Sequence, residues 1–164
     1  MKAKTIFGRY SEVANGVFTA HSLFLLRLAI GVQFLMSGFS KFGDWTAAGY
    51  LSGATGPFAN WFQSMAGSGF VDALNVWGLT LIGLALIFGL FVRPASFFGA
   101  IMMLLYYFAQ FEQNIAHGFI DNHIILILVF CVFLAGGIGH IYGVDGLLAR
   151  HIRKPGFIHR LLIG

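Results

Sequence analysis

Charged residues and cysteine are scarce in this sequence. Only 10% of its 164 residues are charged and 58% are hydrophobic, whereas about 25% of the residues in soluble domains are charged. So few charges cannot cover the apolar surface of a soluble fold, and we therefore expect lipid to surround much of the protein. The single cysteine, Cys131, excludes an intrachain disulfide, a CxxC redox centre and a cysteine-based metal site.

Four apolar runs are long enough to cross a bilayer as helices. They cover about residues 23–42, 74–92, 94–111 and 123–141, and the Arg93-Pro94 pair should separate the second from the third. The first twenty residues contain no long apolar run and no small-residue cleavage site follows, so the first span is interpreted as an uncleaved anchor. The predicted fold is all-α, an integral membrane four-helix bundle forming a single domain over residues 1–164.

Basic residues are unevenly shared between the two ends of these spans. One end would carry Lys2, Lys4, Arg9, Arg27, Arg93, Arg150, Arg153, Lys154 and Arg160, and the other end only Lys41. By the positive-inside rule both termini should be cytoplasmic, in the inner membrane of a prokaryotic cell. The basic residues suit this rule and anionic lipid better than nucleic acid.

The connection between the first two spans, about residues 43–73, is long for a helical bundle and is called the lid segment. Asp44 could cap a short helix that runs through Tyr50. A second helix is indicated by apolar residues at helical spacing, which are Phe58, Trp61, Phe62 and Met65, and such a stripe suits the membrane interface. The lid segment either covers a binding site or packs on the bundle and binds nothing.

One face of the first span combines a charge with small residues. Arg27, Gly31, Phe34 and Gly38 recur at helical spacing, and glycines allow close helix approach, so this face should point into the bundle. An arginine within a span needs a partner or a purpose. We expect a structural ion pair between Arg27 and Asp145, with ligand binding as the alternative. A direct pair should tolerate exchange of the two charges.

Polar residues from several helix ends should meet near the lid segment. They are Lys41, Asp72, Asn75, Glu112, Asn114, His117, Asp121 and His123. A cation beside histidines could hold a small oxyanion or a quinone carbonyl, and an imidazole can move protons near neutral pH. The alternative is that Asp121 only caps the fourth helix and that His117 is a solvated loop residue.

Cofactor ligands are less well supported by the spacing. His117 and His123 with Glu112 or Asp121 are suitable ligand types for a metal, but they match no recognised motif. His21 and His140 could in principle bind haem, although two interfacial histidines are the ordinary explanation. No metal, haem or flavin site is evident in the sequence.

Several stretches together resemble the DoxD/DoxX family of small four-helix membrane proteins. They are Leu-Arg-Leu-Ala-Ile-Gly (26–31), Ser-Gly-Phe-Ser-Lys-Phe (37–42), Trp45 with Tyr50-Leu51, Gly-Pro-Phe (56–58) with Trp61-Phe62, Trp-Gly-Leu (77–79), Asp121 with His123, and Gly-Val-Asp (143–145). The lid segment and Trp77-Gly78 look closer to the DoxD branch. That resemblance implies the membrane subunit of a thiosulfate:quinone oxidoreductase, which oxidises thiosulfate to tetrathionate with quinone as the electron acceptor.

Residue roles follow from combining this implied reaction with the polar cluster. Catalytic roles are assigned to His123 and His117, and substrate binding to Lys41, Asn75 and Asp121, with Lys41 and His123 as the preferred contacts of the anion. The indoles Trp45, Trp61 and Trp77 are candidate walls of a quinone pocket. Quinone enters as a substrate, and a separate DoxA-like subunit, a larger membrane complex or a second copy of the chain is the expected partner.

Two other functions fit the same sequence. A non-catalytic accessory subunit of a larger respiratory or redox complex would also present abundant Phe and Gly on its spans. A transporter of small solutes or sulfur anions is less favoured, because the spans contain few polar residues and no visible repeat. Copurification with a large partner would support the accessory function, whereas quinone reduction with only a DoxA-like partner would support the enzyme.

Overall fold

The structure, a computed structural model, describes residues 2–116, 118–151 and 162, with side chains described from residue 16 onward. Its helices are α1 Lys2–Phe39, α2 Ala48–Ser52, α3 Ala59–Ser64, α4 Gly69–Phe88, α5 Val92–Ala109, α6 Phe111–Asn114, α7 Asn122–Gly136 and α8 Val144–His151. A 3₁₀ helix, Ile138–His140, joins α7 to α8. The described chain is all-α, as the sequence predicted.

Three helices are long and apolar enough to cross a membrane: Gly16–Phe39 within α1, Gly69–Phe88 and Val92–Ala109. The helix α7 is equally apolar but has 15 residues, or about 22 Å at about 1.5 Å per residue, which is shorter than a bilayer core of about 30 Å. These candidate spans indicate a multi-pass membrane protein. The fourth span predicted over 123–141 is therefore a shorter helix followed by a 3₁₀ turn.

Left-handed glycines end two of the apolar helices earlier than predicted. Gly89 has φ +62 and stops α4 at Phe88, and Gly137 has φ +58 and stops α7 at Gly136. Glycine adopts this conformation without a steric penalty from a Cβ atom, and it commonly closes helices for that reason. Pro94, which the sequence placed at the start of the third span, lies in the first turn of α5, where a proline needs no N–H partner.

The first span also differs from its predicted bounds of 23–42. The helix α1 begins at Lys2 and ends at Phe39. After it, Lys41 N donates to Gly38 O at 3.0 Å and Phe42 N donates to Phe39 O at 3.2 Å, and Gly43 has φ +104. The chain therefore turns away from the helix axis before Phe42.

Close helix packing builds the core in two pairs, α1 with α4 and α5 with α7, which α4 and α5 join. Buried Phe34, Phe130 and Phe133 fill the centre. A Cβ built on Gly83 would lie 2.5 Å from Leu35 N, so α1 and α4 approach too closely for any side chain there. The prediction that one face of α1 points inward is confirmed, since Arg27, Gly31, Phe34 and Gly38 are all buried.

Arg27 and Asp145 are buried at the end of the bundle opposite the lid segment, with 0% and 1% exposure. Arg27 Nη1 donates to Ile138 O at 2.8 Å and to Ile141 O at 2.9 Å. The Asp145 carboxylate accepts from Phe91 N at 2.8 Å and from Val92 N at 3.1 Å.

The predicted direct ion pair between these two residues is wrong in its geometry. No nitrogen of Arg27 lies within 4.0 Å of the Asp145 carboxylate oxygens, although the Asp145 charge still attracts the guanidinium electrostatically. The reason is that backbone carbonyls take up the guanidinium donors and the start of α5 takes up the carboxylate. Each side chain thus ties the turn after α7 or the start of α8 to another part of the bundle.

The lid segment folds onto α4 and α5 around a second small core. This core contains Ala47, Leu51, Ala54, Phe62 and Ala109. The two predicted short helices are present as α2 and α3, but Ala47 and not Asp44 occupies the N-cap of α2. Asp72 accounts for the difference, because its Oδ1 accepts from Ala47 N at 2.7 Å.

The far side of the lid segment is attached to α5 through Thr55. Thr55 N donates to Ala109 O at 3.0 Å, and Thr55 Oγ1 accepts from Glu112 N at 3.2 Å. Of the predicted apolar stripe, Phe62 is buried at 4% exposure whereas Phe58 and Trp61 are about half exposed, at 49% and 54%. The lid segment is thus packed on the bundle through one edge and leaves aromatic surface on the other.

Candidate functional site

Polar side chains from four helices meet where the lid segment packs on the bundle, and the lid segment itself provides one of them. They are Tyr50 of α2, Asn75 of α4, Tyr106 of α5, and Asp121 with His123 at the start of α7. The end of the bundle that carries them is called the lid end, and the five residues are called the lid-end cluster. The folding of α2 onto α5 and the start of α7 beside α5 bring residues together that are up to 73 positions apart in sequence.

Asp121 orients His123 at the start of α7. The distance from Asp121 Oδ2 to His123 Nδ1 is 2.5 Å, and Asp121 Oδ1 accepts from Ile124 N at 3.0 Å. The aspartate therefore caps α7, as the sequence allowed, and also holds the imidazole. With Nδ1 carrying the proton toward the carboxylate, Nε2 is left to exchange a proton with a ligand.

The pKa of Asp121 lies below its ordinary value. Burial by itself would raise this pKa, but the hydrogen bond from His123 and the backbone hydrogen bond from Ile124 outweigh burial and lower it. Asp121 is therefore a carboxylate at neutral pH, which is the form that can accept from His123 Nδ1.

Tyr106 and Asn75 form the adjoining wall of the cluster. The Tyr106 hydroxyl donates to Asn75 Oδ1, and Asn75 Nδ2 donates to Val71 O at 2.9 Å, which fixes the orientation of the amide. The Tyr106 ring lies edge-on to the His123 ring with centroids 6.2 Å apart. Asn75, predicted from sequence as a substrate contact, is thus linked to the imidazole of His123 through the Tyr106 side chain.

Tyr50 closes the cluster from the lid segment. Its hydroxyl donates to Tyr106 O at 3.2 Å, its ring lies 5.9 Å from the Tyr106 ring, and Gln110 Nε2 donates to its backbone carbonyl at 3.1 Å. Burial, and then the Asp121 charge, raise the pKa of Tyr50 to about 12. The hydroxyl therefore stays protonated, which is the form that donates to Tyr106 O.

Lys41 lies at the lid end, with contacts outside the lid-end cluster. Its Nζ donates to Ser37 O at 3.2 Å and lies 5.1 Å from the centroid of the Trp45 ring. Burial lowers the pKa of Lys41, because partial removal from water disfavours the ammonium. The structure thus presents this cation half-buried against an indole.

The three predicted pocket indoles have separate aromatic partners. Trp77 packs edge-on against Phe42 at 5.4 Å, Trp61 packs on Phe62 at 4.8 Å, and Trp45 lies against Lys41. No ring contact joins any two of these three described indoles. Their role as walls of a single quinone pocket stays a prediction.

Two further candidates from the sequence have different outcomes. His117 lies outside the described residues. Glu112 is exposed, and it contacts the lid segment through its backbone N–H. Within the described part of the chain, no three His, Cys, Asp or Glu side chains come together as a potential metal site.

Sequence reasoning missed the two tyrosines that complete the cluster. Tyr50 was noted in a short helix of the lid segment and in a stretch of resemblance but not as a site residue, and Tyr106 was taken as part of an apolar span. A usable indication was present, because a hydroxyl-bearing side chain near the end of a span needs a hydrogen-bond partner.

A comparison with known protein families gives one match, to the DoxX family model over residues 22–112. This stretch is more than half of the chain. The chain belongs to the DoxX family. No curated protein and no solved structure matches it significantly.

The DoxX region covers the described fold from the first span through the first half of α6. It includes Lys41, Tyr50, Asn75 and Tyr106, and it stops before Asp121 and His123. The resemblance stated from the sequence is confirmed at the level of the DoxX family. The histidine of the lid-end cluster lies in the part of the chain beyond the family match.

Proposed function

We propose that this DoxX-family protein is the membrane subunit of a thiosulfate:quinone oxidoreductase, and that the lid-end cluster binds the quinone head group. The observation that carries the proposal is the His123–Asp121 hydrogen bond, at 2.5 Å, beside the ring of Tyr106. An imidazole that a carboxylate orients is suited to a carbonyl that must be protonated.

The balance of the reaction explains why a proton donor is needed. Two thiosulfate ions form one sulfur–sulfur bond in tetrathionate and release two electrons, without releasing protons. The quinone takes up these two electrons together with two protons to become the quinol. As the imidazolium, His123 would deliver a proton through Nε2 and become neutral, and water would then reprotonate it. Asp121 would stabilise the imidazolium before each transfer.

Lys41 supports the anionic half of the proposal. Thiosulfate is a dianion and needs a cation or hydrogen-bond donors, and Lys41 is the one basic residue that the sequence places at the lid end. Its partial burial against Trp45 reduces screening by water, so its attraction for an anion is stronger than that of an exposed lysine. Asn75 and Asp121 keep their proposed substrate-binding roles as members of the quinone-binding cluster.

Lipid access supports quinone as the second substrate. Trp77 and Phe42 form an exposed aromatic pair at the lid end, with 55% and 45% exposure. A quinone carries a long apolar tail, so it reaches a protein site from within the bilayer. With both termini in the cytoplasm, as the positive-inside rule predicts, thiosulfate would bind on the outer side, and a DoxA-like subunit would complete the enzyme.

The test is quinone reduction by the detergent-purified protein in whatever assembly copurifies, with its subunits identified by mass spectrometry. We expect quinol to form only when thiosulfate is present, with one tetrathionate for each quinol. Quinol formation in the absence of thiosulfate would show that thiosulfate is not the electron donor. No activity, together with a large cofactor-bearing complex in the same peak, would instead identify an accessory subunit.

A further inference from the structure

The structure separates the described charges of the protein between its two ends. Contacts from Arg27 to Ile138 and from Asp145 to Phe91 place the start of the first span, the α4–α5 turn and α8 at one end, which is called the basic end. Among the described acidic side chains, Asp145 alone lies at the basic end, and it is buried at 1% exposure. Among the described residues of α8, the exposed charge is therefore basic, that of Arg150.

The helix α8 is held rigidly at the basic end by its first turn. Asp145 N donates to Gly89 O at 2.9 Å, and the Asp145 carboxylate accepts from Phe91 N and Val92 N. A Cβ built on Gly146 would lie 2.8 Å from His140 O, so the helix also packs closely on the preceding turn. These contacts determine which face of α8 points away from the bundle.

The outward face of α8 combines apolar and basic side chains. Leu147 and Leu148 are 57% and 37% exposed, and Arg150 and His151 are exposed in the last turn. Arg150 and His151 follow Leu147 by three and four residues, so all three side chains neighbour one another on the helix surface. If only water surrounded α8, the side chains of both leucines would stay hydrated, which is unfavourable.

We propose that this face of α8 binds the head groups of anionic phospholipids at the bilayer surface. Leu147 and Leu148 would enter the boundary between head groups and acyl chains, and Arg150 would pair with the phosphate of an anionic head group, whose charge no choline ammonium offsets. Charge complementarity selects this occupant, since each basic side chain close to an anionic membrane strengthens binding about five-fold. The proposal does not depend on the chemistry proposed for the lid end.

Native mass spectrometry of the full-length protein tests the proposal. The protein, stripped of lipid in detergent, is titrated with phosphatidylglycerol or with phosphatidylcholine of the same acyl chains. We expect wild type to prefer phosphatidylglycerol, and Arg150→Gln to lower its phosphatidylglycerol affinity about five-fold without changing its phosphatidylcholine affinity. Leu147→Ser should weaken the binding of both lipids.

Three controls make the result specific to α8. Arg150→Lys keeps the charge and should retain the preference, and Glu112→Gln, which removes an exposed charge at the lid end, should leave it unchanged. Inorganic phosphate at the same concentration should not compete, which separates a lipid head group from a free anion. Equal retention of the two lipids by wild type would overturn the proposal, as would an unchanged preference in Arg150→Gln.

Discussion

Asp121 and His123 are joined by a hydrogen bond of 2.5 Å between Oδ2 and Nδ1, and the same aspartate caps the helix from which the histidine projects. One carboxylate thus performs a structural task and orients the imidazole. The functions of the two residues can therefore be distinguished by mutation, because only the histidine is proposed to transfer a proton.

Replacing His123 should abolish most of the proposed quinone reduction. His123→Gln removes the proton donor, and a loss of kcat between about 10² and 10⁴ is expected for general acid catalysis. Steady-state quinol formation measures it. His21→Gln, at the opposite end of the bundle, is the matched control and should keep the wild-type rate; comparable activity in His123→Gln would remove this histidine from the mechanism.

Asp121 should make the stability of the protein dependent on acid pH. Its pKa is lower in the folded protein than in the unfolded chain, so its contribution is present above the unfolded value of about 3.9 and is lost as the pH falls through the folded value. Lowering the pH from 7 to 3 should therefore lower the thermal unfolding temperature of wild type in detergent more than that of Asp121→Asn. Parallel curves for the two proteins would contradict this role, and the exposed Asp44→Asn variant is the control.

Lys41 should matter for the substrate and not for the fold. Its burial lowers its pKa, which means that folding works against the ammonium form. Lys41→Met should therefore unfold at or above the wild-type temperature, while the KM for thiosulfate rises at least ten-fold. Lys41→Arg keeps the charge and should retain much of the affinity; a Met variant with an unchanged KM would show that thiosulfate binds elsewhere.

The Arg27 and Asp145 contacts should be specific to each position. Asp145→Asn replaces one acceptor oxygen with a donor that faces a backbone N–H, at a cost of about 1–3 kcal/mol in the free energy of unfolding. Exchange of the two charges, Arg27→Asp with Asp145→Arg, should not rescue either single variant, because the new carboxylate would face the carbonyls of Ile138 and Ile141. Thermal unfolding and expression level measure the effect, and a rescued double variant would restore the direct ion pair that the sequence suggested.

Gly83 should not tolerate a side chain. The Cβ of alanine would lie 2.5 Å from Leu35 N and 2.8 Å from Gly31 O, and these backbone atoms move only if α1 and α4 separate. Overpacking of this kind costs about 1–3 kcal/mol, measurable as a lower unfolding temperature. Gly16→Ala is the matched control, since its Cβ meets nothing within 4 Å and alanine favours the helix.

Hydrophobicity and glycine spacing decided the main features of the fold from the sequence alone. Lipid-facing helices need long apolar runs, so the three spans were recognisable, and the buried face of α1 followed from Gly31 and Gly38. The fourth apolar run was also recognised as a helix, but its shorter length was not predicted. Their ends were less predictable, because the left-handed conformations of Gly89 and Gly137 depend on local geometry. The choice of Ala47 over Asp44 as a cap likewise depended on Asp72, which lies 25 residues further along the chain.

The composition of the candidate site was only partly visible in the sequence. Asn75, Asp121 and His123 were recognisable because polar side chains are costly beside a membrane span, and that cost depends on residue type alone. Only the tertiary structure identifies Tyr50 and Tyr106 as members of the cluster, since tyrosine occurs both in apolar helices and in hydrogen-bonded sites. The packing of α2 on α5 and of α5 on α7 decided that these five side chains meet, and contacts between distant segments leave no periodic pattern in the sequence.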